Sequence, residues 1–148
     1  MFIVNVEAAI YKDEKWLIVR RSEKEEHAAG ALALVGGKVD KEGNSTDILE
    51  RTLIREVEEE VGVIISNLAY VNSSSFVTDS GTHVIDIVFL CSYQAGEPIA
   101  KDPDEVASVN WMSTEEILDS AEIPSYLKEN IQLANDLVKA KESYLINN

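Results

Sequence analysis

The segment from Asp47 to Val61 constrains the chain more than any other. Apolar residues recur at Leu49, Leu53 and Val57 and at Ile54, Val57 and Val61, spacings of four, three and four that suit a helix and exclude a strand. Gly62 follows as a natural C-cap, while Asn44, Ser45 and Thr46 are candidate N-caps and Asp47 complements the positive end of the helix dipole. The same helix carries Arg55-Glu56-Val57-Glu58-Glu59-Glu60, in which Glu56, Glu59 and Glu60 share a face at spacings of three and four. Each like-charged pair costs about 0.2–0.5 kcal/mol unless a cation relieves it. Glu60 borders the stripe of Leu49 and Leu53, at the edge of the core, and Glu58 points elsewhere.

Oxygen-only ligation without a nearby histidine or thiolate selects a hard ion, Mg²⁺ first with Mn²⁺ as a substitute. Arg55, four residues before Glu59, is spaced to hold that carboxylate in one orientation. On helical spacing alone, a solvated face on an acidic protein remains the competing explanation.

The rest of the chain sets the context. Phe2 to Tyr11 and Lys15 to Arg20 form a predicted hairpin around Lys12-Asp13-Glu14. Ala31 to Val35 is a third short strand running into a sharp loop at Gly36-Gly37. Strands are expected at Val63 to Phe76, His83 to Tyr93 and Val106 to Met112, with helices at Thr114 to Ser120 and about Ser125 to Tyr144. The order β-β-β-α-β-β-β-α-α lacks a regular βαβ repeat, which favours a mixed sheet with helices on its faces. At 148 residues, with no visible linker, the expectation is one domain over 1–148 with the helix of about 125–144 packed on it.

Charge narrows the partners. With 27 acidic against 13 basic residues the net charge is −14, and no basic patch offers a surface for a nucleic acid polymer or an anionic membrane. A phosphate compound would arrive with a divalent metal. No stretch approaches the ~20 apolar residues of a membrane span, and the N-terminus lacks the basic region of a leader, so a cytoplasmic location is expected. Lone Cys91, in an apolar run, reads as core packing, as do Trp16 and Trp111 in their strands.

Taken together, Gly36-Gly37-Lys38-Val39-Asp40 upstream, the Arg55–Glu60 run and Gly62-Val63 downstream resemble the Nudix hydrolases. The signature of that family is a glycine, five residues, a glutamate, seven residues, then Arg-Glu, an aliphatic residue, any residue, Glu-Glu, any residue, Gly and an aliphatic residue. Arg55-Glu56-Val57-Glu58-Glu59-Glu60-Val61-Gly62-Val63 fills the second half at every position. The first half departs: Asp47 stands where the family has glutamate, and Gly37 precedes it by ten residues instead of six, a loop four residues longer. Tuning of the loop, with activity kept, is the expectation.

The resemblance implies an α/β (α+β) fold, a Nudix-like α/β/α sandwich with a mixed β-sheet and the motif as a loop–helix after the third strand. It also implies a Mg²⁺-dependent pyrophosphohydrolase that cleaves a phosphoanhydride bond of a nucleoside diphosphate-linked compound by water attack. Glu56, Glu59 and Glu60 would hold metal. Arg55 would brace Glu59, and Gly36, Gly37 and Lys38 would approach the substrate phosphates. The family takes its base from a helix glutamate or from a later loop, where Glu105 is the candidate. A nucleoside triphosphate or modified nucleotide is the first substrate expectation. The proline that marks ADP-ribose enzymes is missing from Ser75-Phe76-Val77-Thr78-Asp79, and the extended motifs of the NADH and coenzyme A branches are not recognisable, which disfavours these substrates without excluding them; an ADP-ribose or nucleotide-sugar pyrophosphatase stays an alternative. A catalytically weakened nucleotide-binding or regulatory module is the alternative, and a homodimer through strand edges or the last helix is compatible with the pattern.

Overall fold

The computed structural model describes residues 1–147 of the chain. Its elements are β1 (Phe2–Lys12), β2 (Lys15–Arg21), β3 (Leu32–Ala33), β4 (Val35–Lys38), α1 (Ile48–Val61), β5 (Ile64–Val77), β6 (His83–Ala95), β7 (Val106–Ser113), α2 (Thr114–Asp119) and α3 (Ser125–Asn147). The sheet is mixed, as expected, and runs β3-β2-β1-β6-β5, with β4 also pairing β1 and β7 also pairing β2. Strand β1 is parallel to β6 and antiparallel to β2 and β4.

Alternation along the central strands builds two cores. Val6, Ala8, Ile10, Leu17 and Val19 face one way and pack with Leu53, Val57 and Val61 of α1. Ala9, Trp16 and Ile18 face the other way and pack with Ile117 of α2 and with Leu127, Ile131, Ala134 and Val138 of α3. The result is the α/β/α layering the sequence implied. Cys91 and Trp16 are fully buried, and Trp16 Nε1 donates to Thr114 Oγ1 at 2.9 Å. Among the described residues no helix is long and apolar enough to cross a membrane.

Several local expectations need correction. The third strand is two short strands, and Gly36-Gly37 is not a sharp loop: both glycines lie inside β4, opposite Glu7 and Val6 of β1. A Cβ on Gly36 would lie 2.1 Å from the Val6 carbonyl oxygen, so the glycine serves strand packing and not a turn. On α1, Ile54 is 36% exposed, whereas Glu60 is only 7% exposed and takes the inner position beside Val57 and Val61.

The ends of α1 differ. Gly62 closes it at φ 71°, donating to Glu58 O, as its sequence position predicts. At the start, none of Asn44, Ser45 or Thr46 is the cap. Asp47 occupies that place at φ 54° and makes no side-chain capping bond.

Candidate active site

A cleft of about 380 Å³ opens where β4 meets α1. Gly36, Gly37 and Lys38 line it from β4, Glu56 and Glu60 from α1, Glu7 from β1, Arg21 from β2, and Glu25, Asp40 and Glu105 from loops. Gly37 lies directly against Glu56, so a Cβ there would displace the Glu56 carboxylate.

The loop between β6 and β7 is laid across the C-terminal end of α1. Lys101 N and Asp102 N donate to the Glu60 carbonyl at 2.9 and 3.3 Å, satisfying one of the free acceptors of the last turn. Glu105 N then donates to Asp102 O at 3.0 Å, and Ser22 N donates to Glu105 O at 2.9 Å, which carries Glu105 to the cleft beside the 22–31 loop.

Of the residues expected from the sequence, the structure brings Gly36, Gly37, Lys38, Glu56, Glu60 and Glu105 together around this cleft. Glu59 is not among the lining residues. Its side chain is 57% exposed, and Arg55 Nη1 stands 3.5 Å from its carboxylate. Arg55 is a hub outside the cleft, 3.2 Å from Glu56 and 3.8 Å from Asp40.

The electrostatics are lopsided. Six acidic side chains (Glu7, Glu25, Asp40, Glu56, Glu60, Glu105) face two basic ones, Arg21 and Lys38. Burial, and then the charges of Glu56 and Glu105, push the Glu60 carboxyl up to about 8. Glu56 is also raised, chiefly by burial and against the pull of Arg55. A hydrogen bond with Glu25, followed by burial, raises Glu105 to about 7. Glu7 is held well above the usual carboxylate range by burial and by its hydrogen bond with Asp86, which is itself raised by burial.

Among the described residues, no three His, Cys, Asp or Glu side chains are already gathered in a metal-binding arrangement. The donor set nevertheless suits a hard divalent cation: Glu56 and Glu60 offer carboxylate oxygens, and the charge of Glu56 helps raise Glu60. Glu25 Oε1 is buried in the cleft without a hydrogen-bond partner, an oxygen open to a cation.

Sequence reasoning missed Glu7 and Glu25; Arg20 and Arg21, at the end of the second strand, read equally as phosphate or ribose contacts and as a solvated strand end, and the structure brings Arg21 to the cleft. Glu7 had one local signal, an acid inside the otherwise apolar run Val6 to Ile10. Arg20, the neighbouring candidate, is turned away to Gly30 O and Glu122. His27 stacks on Phe76 and His83 meets Phe2 edge-on, both apart from the cleft lining.

The family described as NUDIX domain matches residues 1–132, and the chain belongs to that family. Its members are typically metal-dependent. The fold is similar to that of a MutT NUDIX hydrolase from Burkholderia pseudomallei at 25% identity and TM-score 0.76, covering 90% of this chain and 98% of that one. A MutT protein from Methanosarcina mazei Go1 is similar at 28% identity and TM-score 0.76, covering 93% and 96%. Among curated relatives, an NAD-capped RNA hydrolase NudC from Photorhabdus laumondii is 31% identical over 69% of this chain and 35% of its own length. The NudC of Photobacterium profundum is 28% identical over 74% of this chain and 37% of its own. The chain thus spans little more than a third of the length of these curated relatives.

Proposed function

We propose that the chain is a Mg²⁺-dependent pyrophosphohydrolase that cleaves a phosphoanhydride bond in a nucleoside diphosphate-linked compound, a nucleoside triphosphate or modified nucleotide first among them. The observation that carries this reading is the meeting of Glu56 and Glu60 with the Cβ-free strand Gly36-Gly37 in one cleft, with Glu105 on its rim. The cleft holds too many carboxylates to take a polyphosphate without a bridging cation, and family membership supports that chemistry.

In this reading Glu56 and Glu60 hold metal from inside the cleft. Glu59, on the same turn and free of packing, joins them from the exposed side. The metal, when bound, neutralises phosphate oxygens and lowers the pKa of a water. The backbone of Gly36 and Gly37 forms one wall of the diphosphate site, and Lys38 and Arg21 meet its charge. Arg55 orients Glu56 and Glu59. Glu105, titrating near neutrality, takes the proton of the attacking water.

The test is product analysis after incubation with nucleoside triphosphates, nucleotide sugars, ADP-ribose, dinucleoside polyphosphates and NAD, with Mg²⁺ and with EDTA. NAD belongs in the panel because the NudC relatives are named for an NAD-capped substrate. Mg²⁺-dependent release of a nucleoside monophosphate, lost in Glu56→Gln and Glu59→Gln, supports the reading. Silence across the panel despite nucleotide binding would favour the regulatory module.

A further inference from the structure

The loop from Asp40 to Asp47 is exposed at every residue and has no apolar side chain of its own, so burial does not hold it. It also begins a helix whose capping residue makes no side-chain bond. What holds it is Arg51, one turn into α1. Arg51 Nε donates to Thr46 O at 2.9 Å, and its Nη2 donates to Ser45 Oγ at 3.0 Å and stands 2.9 Å from Glu42. One guanidinium therefore spans three positions of the loop, a use that its fixed fork permits and a lysine's single ammonium does not. The next turn of α1 places Arg55 3.8 Å from Asp40, at the other end of the loop and on the lining of the cleft.

We propose that Arg51 is a positioning residue that clasps the 40–47 loop to α1 and so sets Asp40 beside Arg55 at the mouth of the cleft. The longer loop and the uncapped helix start are features of this chain, and Arg51 compensates for both. Its catalytic consequence rests on the hydrolase reading, whereas the clasp itself does not. Asp40 orients Arg55, and Arg55 orients Glu56, so releasing the loop disturbs a carboxylate several residues from the loop itself. Small displacements of such groups are expensive in rate.

The experiment uses the full chain with Arg51→Met, Arg51→Lys and Asp40→Asn, and the double variant Arg51→Met/Asp40→Asn. Trypsin cutting after Lys41, inside the loop, reports the clasp without any substrate. Arg51→Met is expected to speed that cut about tenfold with little change in Tm, and Arg51→Lys to fall between it and the parent. On whichever panel compound is hydrolysed, Arg51→Met and Asp40→Asn are each expected to lower kcat about fivefold to tenfold, and the double variant to be no worse than either single one. Unchanged cutting after Lys41 would overturn the clasp. Faster cutting with unchanged kcat, or losses that multiply in the double variant, would overturn the positioning role. If the parent hydrolyses nothing in the panel, the hydrolase reading and the positioning role fall together, and the cutting rates still decide the clasp.

Discussion

Gly37 and Glu56 are in such close contact that a Cβ on the glycine would lie 2.5 Å from the Glu56 carboxyl carbon. The obstructing atoms are the far end of a flexible side chain, so the backbone tolerates the extra methyl and the carboxylate gives way. We expect Gly37→Ala to fold with a nearly unchanged Tm and to lose about tenfold or more in kcat/KM, because Glu56 no longer stands where a metal is held. Thermal melts beside steady-state kinetics check this, and a large fall in Tm would show that the contact is structural instead.

Gly36 presents the opposite case one residue away. Its missing Cβ faces the Val6 carbonyl oxygen at 2.1 Å and Val6 lies in the centre of the sheet, so neither partner can rotate aside. Gly36→Ala is expected to cost about 2–3 kcal/mol of stability through forced displacement of β4 from β1. Urea unfolding should show a lower midpoint, with activity falling only as the folded fraction does.

These two glycines also show what local sequence can and cannot reveal. A glycine pair after a short apolar run reads locally as a turn, and only the pairing with β1, about thirty positions earlier, reveals it as a strand pressed against a carbonyl and a carboxylate. Helix α1 was legible because periodicity is local: Leu53, Val57 and Val61 are buried and Gly62 closes the helix. The exchange of Ile54 for Glu60 on the inner face was not, since both border the stripe and which one is covered depends on the strands that meet Glu60 at the cleft.

The rest of the cleft was legible only in part for the same reason. Glu56, Glu60, Gly37 and Lys38 sit within one contiguous motif. Glu7, Arg21, Glu25 and Glu105 come from four further places on the chain and meet only through strand order and the bond from Ser22 to Glu105. Glu59 shows the reverse limit. Helical spacing places it on the face of Glu56 and Glu60, yet side-chain direction leaves it outside the lining, beside Arg55.

On the proposed reading, Glu60 ties metal binding to stability. Its carboxyl, raised to about 8 by burial and by Glu56 and Glu105, carries a charge that the metal-free fold disfavours. In EDTA at pH 8, Glu60→Gln is expected to stabilise the protein by about 2 kcal/mol, since the amide keeps the volume and removes the titration. Saturating Mg²⁺ is expected to raise the parent's stability by about 2–3 kcal/mol at one hundred times its Kd and to leave the variant almost unaffected. Calorimetric melts with and without Mg²⁺ measure both effects. An equal Mg²⁺ response in the two proteins would remove Glu60 from the metal site.

Glu7 gives the pH dependence. Burial and the hydrogen bond with Asp86 raise its folded-state pKa well above 4.5, with Arg21 opposing and the ring of Tyr126 nearby. A group raised on folding contributes stability in full below its unfolded pKa and loses it as pH climbs through the folded value. The metal-free protein is therefore expected to grow less stable from about pH 5 upward, the window that begins at an ordinary glutamate pKa. Glu7→Gln retains a donor for Asp86 but cannot ionise, so its stability curve is expected to be flatter and to cross above the parent's on the alkaline side, by about 1–3 kcal/mol at pH 9. Urea midpoints across that range decide the matter. Parallel curves for the two proteins would mean that Glu7 ionises freely in the fold and that its hydrogen bond with Asp86 does not hold a proton there.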